Sequence, residues 1–181
     1  MMAATYELIE SVVLGSAATE VSFTSIPSTY DDLVVLLSIR CIGTTDNFGD
    51  YEILGYQFNS STSGYSSRVL QTSGSGTAGS QTRTNTTLGG TTFGRINVGV
   101  QNAISTANTF TSQEWYVPNY AGSTAKSISF TSMMENNKAE AYTEVAAGLW
   151  NNTAAINAVK FRAGADFATG SSFQIYGITK A

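Results

Sequence analysis

Apolar and polar residues alternate through short runs of this chain, and that two-residue period constrains its fold more than any other feature. In KSISFTS (126–132), Ile128 and Phe130 fall on one side and Ser127 and Ser129 on the other. A β-strand turns successive side chains to opposite faces, whereas a helix repeats about every 3.6 residues. Similar runs occupy 51–58, 93–100, 110–117, 156–162 and 172–179. The pattern predicts an all-β protein.

The first forty residues predict three further strands. YELIESVVL (6–14) and TEVSFTSI (19–26) are separated by a short turn, as expected for two consecutive strands. LVVLLSI (33–39) is continuous, apolar and rich in Val, Leu and Ile. This composition predicts a strand that is buried on both faces, at the centre of the core.

Gly, Ser and Asn turns separate the predicted strands, which favours one antiparallel β-sandwich or jelly roll over residues 1–181. One such turn, Asn119 to Ser123, follows Pro118 and precedes the strand that begins at Lys126. Residues 59–92 are mostly Ser, Thr and Gly and predict a long loop, with a short strand at 67–72 as an option. AYTEVAAGLW (141–150) permits a helix over 138–147, but its alternation favours a strand.

Composition excludes several classes of function. The net charge is −4 and only 12% of residues are charged, so no basic surface for nucleic acid is expected. The chain has no histidine, which removes Ser-His and Cys-His catalysis. Its one cysteine, Cys41, is predicted to be a buried core residue. Without a secretory signal or a long apolar run, the chain is expected to be made in the cytoplasm and not to insert in a membrane.

The carboxylates give little support for an enzyme. The pairs Asp31/Asp32, Asp46/Asp50 and Glu140/Glu144 lack a pattern that marks an acid and a base, and all are interpreted as solvated turn residues. Asp46, Asn47, Asp50 and Glu52 supply oxygen atoms but not the spacing of a calcium loop. We therefore predict no catalytic residue, no metal and no cofactor.

Aromatic residues at strand ends and turns are better candidates for contacts with other molecules. Amphipathic rings beside turns can stack on sugars or anchor an interface. The candidates for interface or glycan contact are Tyr65, Trp115, Tyr120 and Trp150. The alternative is that the two tryptophans belong to the core or to a subunit interface.

Three segments together resemble small virion structural proteins of tailed bacteriophages, especially those of cyanobacteria and marine bacteria. They are residues 4–40, residues 115–137, which include WYVPNYAGSTAKSISFTSMMENN, and residues 147–181, which end in GSSFQIYGITKA. The resemblance covers nearly the whole chain outside the Ser, Thr and Gly stretch. It implies assembly and display, and it brings no catalytic residues.

This resemblance implies a non-enzymatic protein on the virion exterior, assembled in the host cytoplasm. No heptads and no repeat of 20 to 50 residues indicate a fibre shaft, so a capsid decoration (cement) protein is preferred. The expected partners are sister subunits, as a homotrimer, and the major capsid protein or tail proteins. The alternative is a tail-borne adhesin or receptor-binding tip that recognises host surface glycans.

Overall fold

Thirteen β-strands and no helix form the part of the chain that the structure describes. The structure, a computed structural model, describes residues 6–44, 51–73, 78–137 and 141–180. The strands are β1 (Tyr6–Val13), β2 (Ala18–Phe23), β3 (Asp32–Ile39), β4 (Tyr51–Phe58), β5 (Tyr65–Ser73), β6 (Ala78–Arg83), β7 (Asn85–Leu88), β8 (Thr91–Gln101), β9 (Thr111–Pro118), β10 (Lys126–Met134), β11 (Tyr142–Trp150), β12 (Val159–Phe167) and β13 (Ser172–Ile178).

The strands form two antiparallel sheets. The larger sheet has eight strands in the order β1-β13-β3-β9-β10-β11-β5-β6, and the smaller has five in the order β2-β12-β4-β8-β7. Residues of both sheets contribute to one hydrophobic cluster. The two sheets thus pack as a sandwich around a shared core, which confirms the predicted all-β, sandwich-like fold.

The N-terminal strands form where the alternation places them, but they do not pair with each other. β1 pairs with β13 in the larger sheet, and β2 pairs with β12 in the smaller one. The turn after β1 therefore carries the chain from one sheet to the other. β3 lies between β13 and β9, and Leu33, Val34 and Val35 are all buried, as predicted for a central strand.

Residues 59–92 are not one long loop. They contain β5, β6 and β7, so the Ser, Thr and Gly stretch is mostly sheet. Small hydroxyl residues suit the outward positions of an edge hairpin, and composition alone could not distinguish that use from a loop. The helix considered over 138–147 does not form in the described part, where β11 begins at Tyr142 and confirms the strand prediction.

Aromatic rings hold the two sheets together. Tyr56 of β4 packs edge-on against Trp115 of β9, with ring centroids 5.2 Å apart. Trp115 also meets Phe130 of β10 at 4.6 Å and Phe161 of β12 at 5.0 Å, both at nearly right angles. Edge-to-face pairs of this kind add to the stabilisation that burial alone gives. Trp115 is therefore the ring through which β9, β10, β4 and β12 are joined.

The turn between β9 and β10 is closed by a buried lysine. Asn119 has a φ of 50°, which asparagine tolerates better than most residues and which lets the chain turn after Pro118. Lys126 is fully buried, and its Nζ donates hydrogen bonds to the carbonyl oxygens of Gly122, at 2.6 Å, and Thr124. The segment is a turn between strands, as the sequence predicts, and its lysine is part of the turn.

Truncation of Trp115 should test this description of the core. Trp115→Ala removes the ring that both sheets share, and we expect a loss of about 3–5 kcal/mol in the free energy of unfolding. Val13→Ala, at the end of β1 on a side chain that is 67% exposed, is the control and should cost less than about 1 kcal/mol. Urea denaturation of both variants measures the difference, and equal losses would contradict the assigned role of Trp115.

Candidate functional site

The four aromatic contact candidates are all inside the molecule. Trp115, Tyr120 and Trp150 are at most 1% exposed and Tyr65 is 4% exposed. Trp150 and Tyr65 face each other across β11 and β5 and stack with their rings 6.3 Å apart. None of these rings can reach a glycan or another subunit. The prediction of interface or glycan contacts at these positions is corrected to a core role, the alternative that the sequence left open for the tryptophans.

Their polar tips are satisfied within the chain, which is why burial is tolerated. The Trp150 Nε1 donates to Ser61 Oγ at 3.3 Å, and the Trp115 Nε1 donates to Gln113 Oε1 at 3.2 Å. The Tyr120 hydroxyl donates to the Pro27 carbonyl. A buried ring keeps a polar atom only where it finds such a partner.

Asp32 and its neighbour Asp31 have structural roles. Asp32 is 1% exposed and accepts hydrogen bonds from the Tyr116 hydroxyl at 2.6 Å, the Asn119 amide at 2.9 Å and Lys180 Nζ at 2.9 Å. Asp31 accepts from the Lys180 amide at 2.6 Å. Burial would raise the pKa of Asp32, but the hydrogen bonds from Tyr116, Asn119 and Lys180 lower it below its ordinary value. The solvated-turn interpretation is wrong for Asp32.

Removal of the Asp32 side chain should therefore lower the free energy of unfolding much more than removal of Lys180, its ion-pair partner. Asp32→Ala leaves the Tyr116 hydroxyl and the Asn119 amide without their acceptor, and we expect a loss of about 2–4 kcal/mol. Lys180→Ala removes a side chain that is 59% exposed and should cost about 0–1 kcal/mol. Denaturant midpoints at neutral pH compare the two. Equal losses would show that the ion pair with Lys180, and not the hydrogen bonds from Tyr116 and Asn119, accounts for the stabilising effect of Asp32.

Glu144 lies in a buried polar row inside the sandwich. Gln113, Ser132 and Glu144 face one another on the adjacent strands β9, β10 and β11, and each is at most 3% exposed. Glu144 Oε2, Ser132 Oγ and Gln113 Nε2 have no hydrogen-bond partner. Burial raises the pKa of Glu144 to about 8. This carboxyl is thus mostly protonated at pH 7, and because Glu144 is buried, its interpretation as a solvated turn residue is wrong. Asp46, Asp50 and Glu140 lie outside the described residues.

The raised pKa of Glu144 makes stability depend on pH. Because the folded protein holds this proton and the unfolded chain releases it near its ordinary pKa, stability falls as pH rises from about 5 to about 8. We expect wild type to lose on the order of 2 kcal/mol relative to Glu144→Gln between pH 6 and pH 8. Urea denaturation of both proteins over this range measures the difference, and parallel profiles would contradict it.

A cleft of about 390 Å³ on the smaller sheet is lined by Glu52 of β4 and by Arg95, Thr86 and Leu88. Glu52 is 6% exposed, its Oε1 has no partner, and burial raises the pKa of its carboxyl. Within the described ranges, no group of three or more Cys, Asp and Glu side chains is arranged to hold a metal ion. Asp46, Asn47 and Asp50, considered with Glu52 for calcium, lie outside those ranges.

The outward face of the larger sheet has a different character, and its central part over β9, β10, β11 and β5 is called the assembly face below. It carries exposed aliphatic side chains: Leu70 and Val145, directly opposite each other and 59% and 54% exposed, with Met133 and Leu149 nearby. Between them lie Ser, Thr and Ala. Small Ser129 and Ala147 leave a shallow depression of about 520 Å³ beside Arg68 and Leu70.

The assembly face is nearly free of charge. Among the described outward positions of these four strands, the charged residues are Arg68 on β5 and Glu114 on β9. The outward face of the smaller sheet instead carries a charge network, in which Glu20 lies 3.1 Å from Lys160 and 3.9 Å from Arg162. A neutral sheet face with exposed aliphatic residues loses little on desolvation and is suited to contact with protein.

Sequence reasoning missed the assembly face, although β11 carries a signal for it. Val145 and Leu149 lie on one side of the alternation, while Ala146 and Trp150 lie on the other. When a strand carries apolar side chains on both sides, burial of both faces is favoured. Residues 33–39 and residues 141–150 both have this property.

Comparison with known protein families and with curated protein sequences finds no match for this chain. Within its described residues, the structure contains no helix that is long and apolar enough to cross a lipid bilayer.

Proposed function

We propose that this chain is a non-enzymatic structural protein of a tailed bacteriophage virion, a capsid decoration protein on the particle exterior. The observation that carries the proposal is the assembly face, where Leu70, Met133, Val145 and Leu149 are exposed on a nearly uncharged sheet. A subunit that works by contact with other subunits needs a broad surface of this kind. The resemblance of residues 4–40, 115–137 and 147–181 to phage virion proteins supports the same role.

The arrangement of the carboxyl groups supports a role without catalysis. Asp32 is occupied by three hydrogen bonds, and Glu144 lies inside the sandwich. An acid and base pair must meet a substrate across an open cleft. Neither group is in that position. Among the described residues that line the cleft on the smaller sheet, Glu52 is the only carboxyl group, so this cleft does not bring two of them together.

The burial of Tyr65, Trp115, Tyr120 and Trp150 favours decoration over the alternative of a tail-borne adhesin. The adhesin hypothesis depended on these rings to stack on host glycans. An uncharged, aliphatic face instead suits protein neighbours, namely sister subunits and the major capsid protein.

Imaging of virions tests this function. Particles of the source phage, labelled with antibody against this protein, should carry the label over the capsid. Particles assembled without the protein should lose capsid stability to heat or low ionic strength. Restoration by wild type, but not by Leu70→Glu, would tie the effect to the assembly face. Label confined to the tail tip, or unchanged stability without the protein, would contradict the proposal.

A further inference from the structure

We infer that the assembly face binds a second copy of this chain, in a twofold dimer in which the two larger sheets pack face to face. The inference deepens the proposed function by naming the partner of that face. It rests on four features of the face: its size, its lack of like charges, the placement of Arg68 and Glu114, and the position of Tyr116.

The size of the face matches a stable interface. Together with the edge strand β6, it spans five strands spaced about 4.8 Å apart and about 27 Å long, which gives about 650 Å². Standard protein interfaces bury about 600–1,000 Å² on each partner. Two sheets that pack face to face align their strands within about 30°, so a twofold axis that runs nearly along the strands satisfies the geometry.

The two charges are placed for such a pairing. Arg68 lies on β5 and Glu114 on β9, one on each side of the central pair β10 and β11. A twofold axis that runs parallel to the strands, between the two facing sheets and above the boundary of β10 and β11, brings β5 of one copy over β9 of the other. Arg68 lies in the cross-strand row of Tyr116, two residues from Glu114 along β9. That offset is about 7 Å, within reach of an arginine side chain.

Each copy thus gives one Arg68 to one Glu114, so the dimer contains two equivalent ion pairs and brings no like charges together. The same rotation places the partly exposed Tyr116 of one copy over the depression beside Arg68 and Ala147 of the other. A guanidinium over a tyrosine ring is a favourable contact. Val145, Leu149 and Met133 then lie opposite Thr131, Ser127 and Thr143 of the other copy, and Leu70 lies against the aliphatic stem of Glu114, whose carboxylate extends towards Arg68.

Twofold closure distinguishes this arrangement from the trimer expected from the virion resemblance. A face that pairs with its own copy makes an isologous contact, which closes at two subunits. A threefold ring needs two different patches on each subunit. Arg68 and Glu114 lie on one face and are related by the central seam, which favours two copies.

Sedimentation equilibrium of the purified chain from about 1 μM to about 1 mM tests the inference. Wild type should be a dimer at the upper end. Arg68→Glu and Glu114→Arg should each raise the dissociation constant about tenfold or more, because each brings like charges together. The double variant R68E/E114R should recover to within about threefold of wild type, since it reverses both partners.

Matched variants separate the face from general surface effects. Leu70→Ser should weaken the dimer about tenfold, whereas Ile42→Ser, at an aliphatic side chain that is 50% exposed in a loop, should not change it. Glu10→Arg on the edge strand β1 is the control for charge. All these side chains are exposed, and circular dichroism confirms that each variant is folded.

Three results would overturn the inference: a monomer at every concentration, a trimer, or a dimer that the charge reversals do not affect. A monomer that binds phage shells through Leu70 would assign the face to the shell and not to a second copy. The virion role would then still stand. Conversely, a dimer that responds to the charge reversals while the protein is missing from particles would keep this inference and contradict the virion role.

Discussion

Edge-to-face packing of aromatic rings between the two sheets is the interaction on which the rest of the structure depends. Trp115 links the sheets through Tyr56 and Phe161, and Phe130 packs beside it from the neighbouring strand. These rings fill the inward positions of β9 and β10. A shift of either strand by one residue would expose them, so their register is fixed. That register in turn decides which side chains form the outward faces.

The two outward faces consequently differ in their surface chemistry. On the smaller sheet, cross-strand pairs of Glu20 with Lys160 and Arg162 keep the surface charged and solvated. On the larger sheet, hydroxyl and aliphatic side chains form a surface with two charges of opposite sign among its described central positions. This asymmetry gives the sandwich one charged, solvated side and one nearly uncharged side with exposed aliphatic residues, and the proposed assembly role depends on the second.

Most strands could be predicted because alternation is a local property. The runs at 33–39 and 126–132 are strands in the structure. The first lies inside its sheet, and Ile128 and Phe130 of the second share its buried side. The stretch at 59–92 could not be predicted, because Ser and Thr serve equally in a loop and on the outer side of an edge hairpin. The prediction of aromatic contact residues was wrong. Whether an aromatic ring beside a turn points inward or outward depends on its position in the strand alternation and on partners distant in sequence.

The sequence by itself determined the class of the fold, the lack of histidine chemistry and the low content of charged residues. These follow from residue types and from a period of two, neither of which needs a partner strand. Only the tertiary structure decided that β1 and β2 belong to different sheets, that Asp32 and Glu144 are buried, and that Arg68 and Glu114 share a face. Those facts depend on pairings between residues far apart in the chain, which the packing of the aromatic core selects.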